Sequence, residues 1–285
     1  MTASGLRARI ESGGRLLGAL LRLPNSYLTE LAGLHGFDFV IFDCEHGPAD
    51  IGLLLEHILV SRAVGLPVLV RLPGTEVDAM LRVLDAGATG LLVPRVSTAA
   101  DIRRTIEAAS YPPNGSRGFA VYSPAGRYGM DAGSAHLAAA AANLVIIAMI
   151  EDGVGVENAA EIAAVPALTG ILVGPADLSV SLGHQANVAH PEVVSRTAQV
   201  HQATRAAGVA VMVIVGRPAA AAAAFEAGAQ LVLVNVAQSI NDVFAALTTV
   251  REIAARQPTT VSSRDLGEDG SDTGPHAVRS SGTGT

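Results

Sequence analysis

The sequence predicts an α/β protein, a (β/α)8 TIM barrel, on three observations: eight short apolar runs, helical segments between most of them, and a glycine recurring where helix gives way to strand. The runs are LLGALL at 16 to 21, FDFVIF at 37 to 42, PVLVR at 67 to 71, GLLVP at 90 to 94, LVIIAMI at 144 to 150, GILVG at 170 to 174, VAVMVIV at 209 to 215 and LVLVN at 231 to 235. They are continuously apolar rather than alternating, as strands buried on both faces of a parallel sheet require.

The intervening segments, among them ADIGLLLEHILVSRAVG, EVDAMLRVLDAG, VENAAEIAAV and PEVVSRTAQVHQATRAAG, have helical character, and such alternation implies βαβ units. Four helices close on the same device, in AVGLP, DAGATG, RAAGVA and EAGAQ, each placing Gly where a helix C-terminus turns left-handed. A doubly wound open sheet is the competing architecture, but no GxGxxG opens a helix after the first strand. The connection from Pro94 to Asn143 is the longest; it carries a predicted helix at 98 to 109 and then YPPNGSRGFAVYSPAGRYGM, expected as a lid over the C-terminal face of the barrel. The Ala-rich stretch 135 to 142 reads as a helix. One barrel domain is expected over residues 1–257. Residues 258–285, rich in Ser, Gly, Thr and Asp, read as a disordered tail because they offer little apolar surface to offset ordering.

Composition narrows the chemistry. Of the 285 residues 49% are hydrophobic and 16% charged, enough for a sizeable core. A net charge of -7 argues against a nucleic-acid surface, which needs a basic footprint. No apolar run reaches the ~18 residues of a membrane span, and MTASGLRARIESGGR lacks the apolar centre of a secretory signal, so a cytoplasmic protein without membrane partners is expected. The single Cys44 cannot form an internal disulfide. All 19 basic residues are arginine. Without lysine there is no Schiff-base amine, no pyridoxal-phosphate anchor and no P-loop.

In such a barrel, chemistry collects where strands end. The second run ends in Asp43-Cys44-Glu45-His46-Gly47, the third in Arg71, the fifth in Glu151, and the sixth leads into Gly174-Pro175-Ala176-Asp177. Glu151 and Asp177, at the ends of neighbouring strands, form a hard oxygen set suited to Mg2+ or Mn2+. Equally, Glu151 could cap the following helix and Asp177 the turn before Leu178. His46, in a Gly-followed turn, is either a general base or a loop histidine in water. Arg71 is either a clamp for a carboxylate or enolate oxygen, or one half of a salt bridge at the barrel mouth. Asp85, near a helix end where an acid opposes the dipole, is a candidate to orient His46.

Six segments in order, FDFVIFDCEHGPAD, VLVRLPG, LDAGATGLLVPRV, ASYPPNGSRGF, AMIEDGVGVEN and GILVGPADLSVSLG, resemble the HpcH/HpaI aldolases, also called class II pyruvate aldolases, from about Leu16 to Ala255. The resemblance implies a barrel of the phosphoenolpyruvate/pyruvate-binding type. It implies Glu151 and Asp177 as ligands of a divalent metal (Mg2+, Mn2+ or Co2+), Arg71 as the enolate-stabilising arginine, and His46 with Asp85 as a base dyad. Gly174, Pro175 and Ala176 would line the substrate site and Arg127 would bind the acceptor. Met149 stands where the family often has Gln, and the loop VYSPAGRYG departs from the expected Ala/Ser-rich version. The implied activity is aldol cleavage or formation of a 4-hydroxy-2-oxo acid from a 2-oxo acid such as pyruvate and an aldehyde, by a homo-oligomer, a hexamer built from dimers that exchange C-terminal helices. Oxaloacetate decarboxylation, a citramalyl-CoA-type lyase and a non-catalytic acid-binding barrel are the alternatives.

Overall fold

Eight parallel strands close on themselves in sequence order: β1 (Leu16–Leu21), β2 (Phe39–Asp43), β3 (Val68–Arg71), β4 (Gly90–Val93), β5 (Val145–Ile150), β6 (Gly170–Val173), β7 (Ala210–Val215) and β8 (Leu231–Asn235). The last strand pairs with the first, Leu231 beside Leu16, which completes the predicted (β/α)8 barrel. This computed structural model describes residues 5–256 apart from residues 24, 49 and 132, so the tail expected at 258–285 lies outside the described residues. The helices are α1 (Leu6–Glu11), α2 (Ser26–Leu34), α3 (Ile51–Ala63), α4 (Val77–Ala86), α5 (Ala99–Ala109), α6 (Ser134–Asn143), α7 (Gly153–Glu157), α8 (Ala159–Ala163), α9 (Pro175–Ser181), α10 (Pro191–Ala206), α11 (Pro218–Glu226) and α12 (Val236–Arg256). The chain divides into two compact units: Met1–Asp242, which is the barrel, and a unit starting at Val243 that holds the remainder of α12. Among the described residues no helix is long and apolar enough to cross a membrane.

Each strand feeds two cores, because successive side chains point to opposite faces. Phe39, Ile41, Leu69, Val145, Ile147 and Leu172 fill the barrel interior. Their neighbours Val40, Phe42, Val70, Ile146, Ala148 and Ile171 pack outward against the helices. This parity places the strand ends: Asp43 continues the inward row of Phe39 and Ile41, Arg71 that of Leu69, and Glu151 that of Ile147 and Met149. At the opposite end, Leu6 and Ile10 of α1 join the interior cluster and stop the barrel from below. There Asp38 receives the backbone N–H of Leu17 at 2.8 Å and an ion pair from Arg9.

Local signals account for most boundaries. Gly65, Gly87, Gly208 and Gly228, the glycines before strands, all have positive φ (70°, 106°, 72° and 90°), a region that strains residues bearing a Cβ. Thr98 and Asp101 form a reciprocal capping box at the start of α5. The Ala-rich segment forms α6.

One placement differs from expectation. The stretch after α5 does not cover the C-terminal face. Its Ala125 N–H bonds to the carbonyl of Asp85, in the last turn of α4, and its Pro124 carbonyl accepts from Arg62, in the last turn of α3. Helices run antiparallel to the strands, so their C-termini mark the face where strands begin. A segment that leaves the end of α5 starts on that face, and here it stays there.

Gly90 tests how tightly the strands approach. A Cβ at this position would stand 2.0 Å from the carbonyl oxygen of Val145 on β5, which is backbone and cannot rotate away. Gly90→Ala is expected to destabilise the protein by about 1–3 kcal/mol, as overpacking does. Urea unfolding reads this, and an unchanged midpoint would contradict the register.

Candidate active site

A buried ion pair organises the C-terminal mouth. The register sets Asp43 of β2 directly beside Arg71 of β3. Arg71 Nε donates to Asp43 Oδ1 at 2.8 Å while its terminal nitrogen engages Oδ2, a two-pronged fork with both side chains almost wholly buried. Asp43 does more. Its Oδ1 also accepts the backbone N–H groups of Glu45 and His46, each at 3.1 Å, and Oδ2 accepts from Arg22 Nε at 2.9 Å. Burial alone would push its carboxyl up, but the bonds from Arg71 and His46 and the charges of Arg71 and Arg22 outweigh this and hold it below the usual value. Gly47 lets the turn fold back so closely, since a Cβ there would sit 2.1 Å from the Asp43 carbonyl oxygen.

The third inward-facing group is Glu151, only 7% exposed, just past β5. Burial raises its pKa to about 7; the backbone N–H of Arg95 (2.7 Å to Oε1) opposes the rise, and the charges of Glu45 and Asp177 add to it. Arg95 turns that N–H inward by taking a left-handed backbone, φ 53°, while its side chain donates to the Pro73 carbonyl and holds its Nε 3.6 Å from Glu45 Oε1. Glu45 Oε2 is buried with no hydrogen-bond partner among the described residues; Arg71 is 3.5 Å away and His46 Nε2 3.8 Å, in ion-pair range only. Glu151 does not cap the next helix, because Asp152 does so through the Gly155 N–H. Asp177 lies in the first turn of α9, whose N-cap, Gly174, makes no side-chain bond. A Cβ on Gly174 would meet Met149 at 2.7 Å and Glu151 Oε2 at 2.8 Å, so this glycine makes room for the carboxylate.

The structure thus gathers His46, Arg71, Glu151, Asp177 and the Gly174-Pro175-Ala176 segment at one mouth. It does not bring Asp85 or Arg127 there. Asp85, on the opposite face, receives Arg117 at 2.6 Å, and the expected pairing with His46 is not made among the described residues of the chain. The reason is its place in the last turn of α4, one helix length from the strand ends. Arg127, in the short 3-10 turn Arg127–Gly129 of the long connection, pairs with Asp131 at 3.3 Å. Sequence reasoning quoted Asp43 and Glu45 but gave them no role, and it passed over Arg22 and Arg95; extending the inward parity of β2 by one step would have found Asp43. Cys44, pushed up to about 11 by burial and by Asp43, is a protonated thiol at neutral pH and no nucleophile. Met149 keeps contact with the cluster through its sulfur, 3.8 Å from an Arg71 terminal nitrogen.

Two outcomes follow. Asp43→Ala leaves Arg71 buried without its partner and should destabilise the fold by about 3–5 kcal/mol in denaturant titrations; a loss below ~1 kcal/mol would deny Asp43 its central place. For Glu151 the sign is opposite to that of most carboxylates. With a folded-state pKa near 7 against 4.5 for the ordinary group, the folded state holds the proton longer, so this contribution is full below pH 4.5 and is lost as pH rises to about 7. In chelator-treated protein, wild type should therefore lose stability relative to Glu151→Gln between pH 4.5 and 7, by at most about 3 kcal/mol. Parallel pH profiles would refute the raised pKa.

Known proteins resemble this chain in sequence and in fold. The family model described as HpcH/HpaI aldolase/citrate lyase matches residues 17–243. A 5-keto-4-deoxy-D-glucarate aldolase of Klebsiella pneumoniae is 36% identical over 177 residues, 62% of this chain and 68% of the relative. Its counterpart in Salmonella paratyphi C is 33% identical over 219 residues, 77% of this chain and 85% of the relative. The crystal structure of an HpcH/HpaI aldolase/citrate lyase family protein from Burkholderia cenocepacia superposes with a TM-score of 0.81 at 33% identity, covering 86% of this chain and 98% of that one. With its barrel and its sequence in agreement, the chain belongs to the HpcH/HpaI aldolase/citrate lyase family.

Proposed function

We propose that the protein is a divalent-metal-dependent aldolase that makes or cleaves a 4-hydroxy-2-oxo acid, joining the enolate of pyruvate or a related 2-oxo acid to an aldehyde. The observation that carries this reading is the gathering of carboxylates at the mouth: a buried Glu151 flanked by Glu45 and Asp177, with Glu45 in ion-pair range of Arg71 and Arg95 but its Oε2 without a hydrogen bond among the described residues. Such an oxygen-only set fits a hard cation of the Mg2+ or Mn2+ kind, with Glu151 and Asp177 as its holders and Glu45 within reach. When bound, the cation supplies Lewis acidity toward the oxygens of the 2-oxo acid.

The chain's own residues do the rest. Arg71, locked by Asp43, brings a permanent positive charge whose remaining donors face the site, suited to the oxygen that gains charge as the enolate forms. Among the described residues no side chain caps the first turn of α9, so the N–H groups of Ala176 and Asp177 are available to a substrate carboxylate; Pro175, at the first position, has none to lose. His46 stands at the rim with its side chain 55% exposed, tethered through its backbone to Asp43 and facing Glu45, where it can pass a proton between the substrate hydroxyl and water. Within one chain Glu45, rather than Asp85, is the acid beside His46. A homo-oligomer accords with the unit that begins at Val243, where Val243, Phe244, Leu247 and Val250 expose one apolar stripe of α12.

The test combines pyruvate with a panel of aldehydes after chelation and after return of Mg2+ or Mn2+. Activity should require the metal, and Glu151→Ala or Asp177→Ala should lower turnover by roughly three orders of magnitude, the several kcal/mol that charge stabilisation by a metal supplies. Wild-type rates in Glu151→Ala would overturn the assignment. Oxaloacetate decarboxylation without aldol activity, or turnover only of a CoA thioester, would keep the site and replace the substrate.

A further inference from the structure

Outside the mouth, in the connection from α9 to α10 and the first turn of α10, three side chains unused by the proposed reaction come together. His184, His190 and Glu192 each offer one ligand atom, and these atoms lie within 4.8 Å of one another. His184 Nε2 is 2.9 Å from Glu192 Oε2, and the two imidazoles stack face to face with centroids 3.5 Å apart and planes 15° from parallel. His190 is the N-cap of α10, its Nδ1 accepting the Glu192 N–H at 3.3 Å, so that nitrogen carries no proton. An N-cap needs one such residue and an ion pair needs two. A second imidazole laid flat on the first makes a compact set of two nitrogens and one carboxylate oxygen.

The backbone presets this spacing. The His184 N–H bonds to the Ser179 carbonyl (2.8 Å), the Asn187 N–H to the His184 carbonyl (2.9 Å), and the His190 N–H to the Asn187 carbonyl (3.0 Å). The side chains of His184 and Glu192 are 21% and 45% exposed, so an ion from solvent can reach them. We propose that His184, His190 and Glu192 form a second metal site, separate from the barrel mouth, for a borderline divalent ion of the Zn2+ class. Two imidazoles and a carboxylate suit such an ion, whereas Mg2+ prefers oxygen ligands. Binding splays the stacked rings until their in-plane lone pairs converge at the roughly 2.0–2.1 Å of zinc–nitrogen bonds. Both rings bind neutral: His190 turns its Nδ1 lone pair from the Glu192 N–H to the ion and keeps its hydrogen on Nε2, and His184 shifts its hydrogen from Nε2, which faces the Glu192 carboxylate, to Nδ1. The ion would tie the end of α9 to the start of α10.

The experiment is a calorimetric titration of the full chain with Zn2+ in excess Mg2+, repeated on Glu151→Gln, His184→Ala and His190→Asn, the last keeping an N-cap residue. Circular dichroism confirms that each variant is folded, and Co2+ serves as the spectroscopic probe. One Zn2+ event should persist in Glu151→Gln and weaken at least about tenfold in both histidine variants. Measured in Glu151→Gln with excess Mg2+, so that Co2+ at the mouth does not contribute, the Co2+ visible bands should vanish when His184→Ala is added. Isotherms of the histidine variants matching wild type, or an event lost only in Glu151→Gln, would overturn the proposal, the latter by assigning the ion to the mouth.

Discussion

The mouth of the barrel depends on the fork between Asp43 and Arg71. One carboxylate gathers five donors: two nitrogens of Arg71, one of Arg22 and the backbone N–H groups of Glu45 and His46. The first two fix the guanidinium across the ends of neighbouring strands, and the last two shape the turn that presents Glu45 and His46. A buried charge pair is poor at adding stability compared with apolar packing, and its better-attested use is to hold geometry. Here the geometry held is a cation pointing into a group of acids, with Asp43 and Arg71 on the strands themselves and the other groups on the short segments that follow strand ends.

Against that fixed charge the remaining carboxylates are left in tension. Glu151 is buried beside Glu45 and Asp177 and holds its proton to about pH 7. Bringing like charges together out of water with few hydrogen bonds is unfavourable, and the fold tolerates it at the mouth while giving Asp38, Asp43, Asp101 and Asp152 close donors. Perturbed groups of this kind collect at functional sites. The left-handed backbone of Arg95, which serves to aim one N–H at Glu151, is a second local strain serving the same residue.

How much of this was legible follows from range. Strands, helix ends and glycines are written in patterns a few residues long, so the eight runs and the glycines that close helices could be read directly. Glu151, Asp177, Arg71 and His46 could be located because a barrel turns sequence position into height above its floor. What could not be read was which end a long connection chooses: VYSPAGRYG has the composition of a lid, yet its backbone bonds to Asp85 and to Arg62 keep it with the helix C-termini. Arg127 went with it, and Asp85 was misplaced because the last turn of α4 lies at the face where strands begin. Asp43 was hidden for another reason, because an acid at the end of an apolar run looks like a cap until its partner on the neighbouring strand is known.

The plug made by Leu6 and Ile10 has a bearing on traffic. Among the described residues the vessel is closed at its floor and filled by its own side chains, so a ligand that settled deepest, against Glu151 and Arg71, would arrive first and depart last. Two reactants entering such a vessel are queued by architecture, and the later arrival, nearer the rim, becomes the cork that keeps solvent from the earlier one.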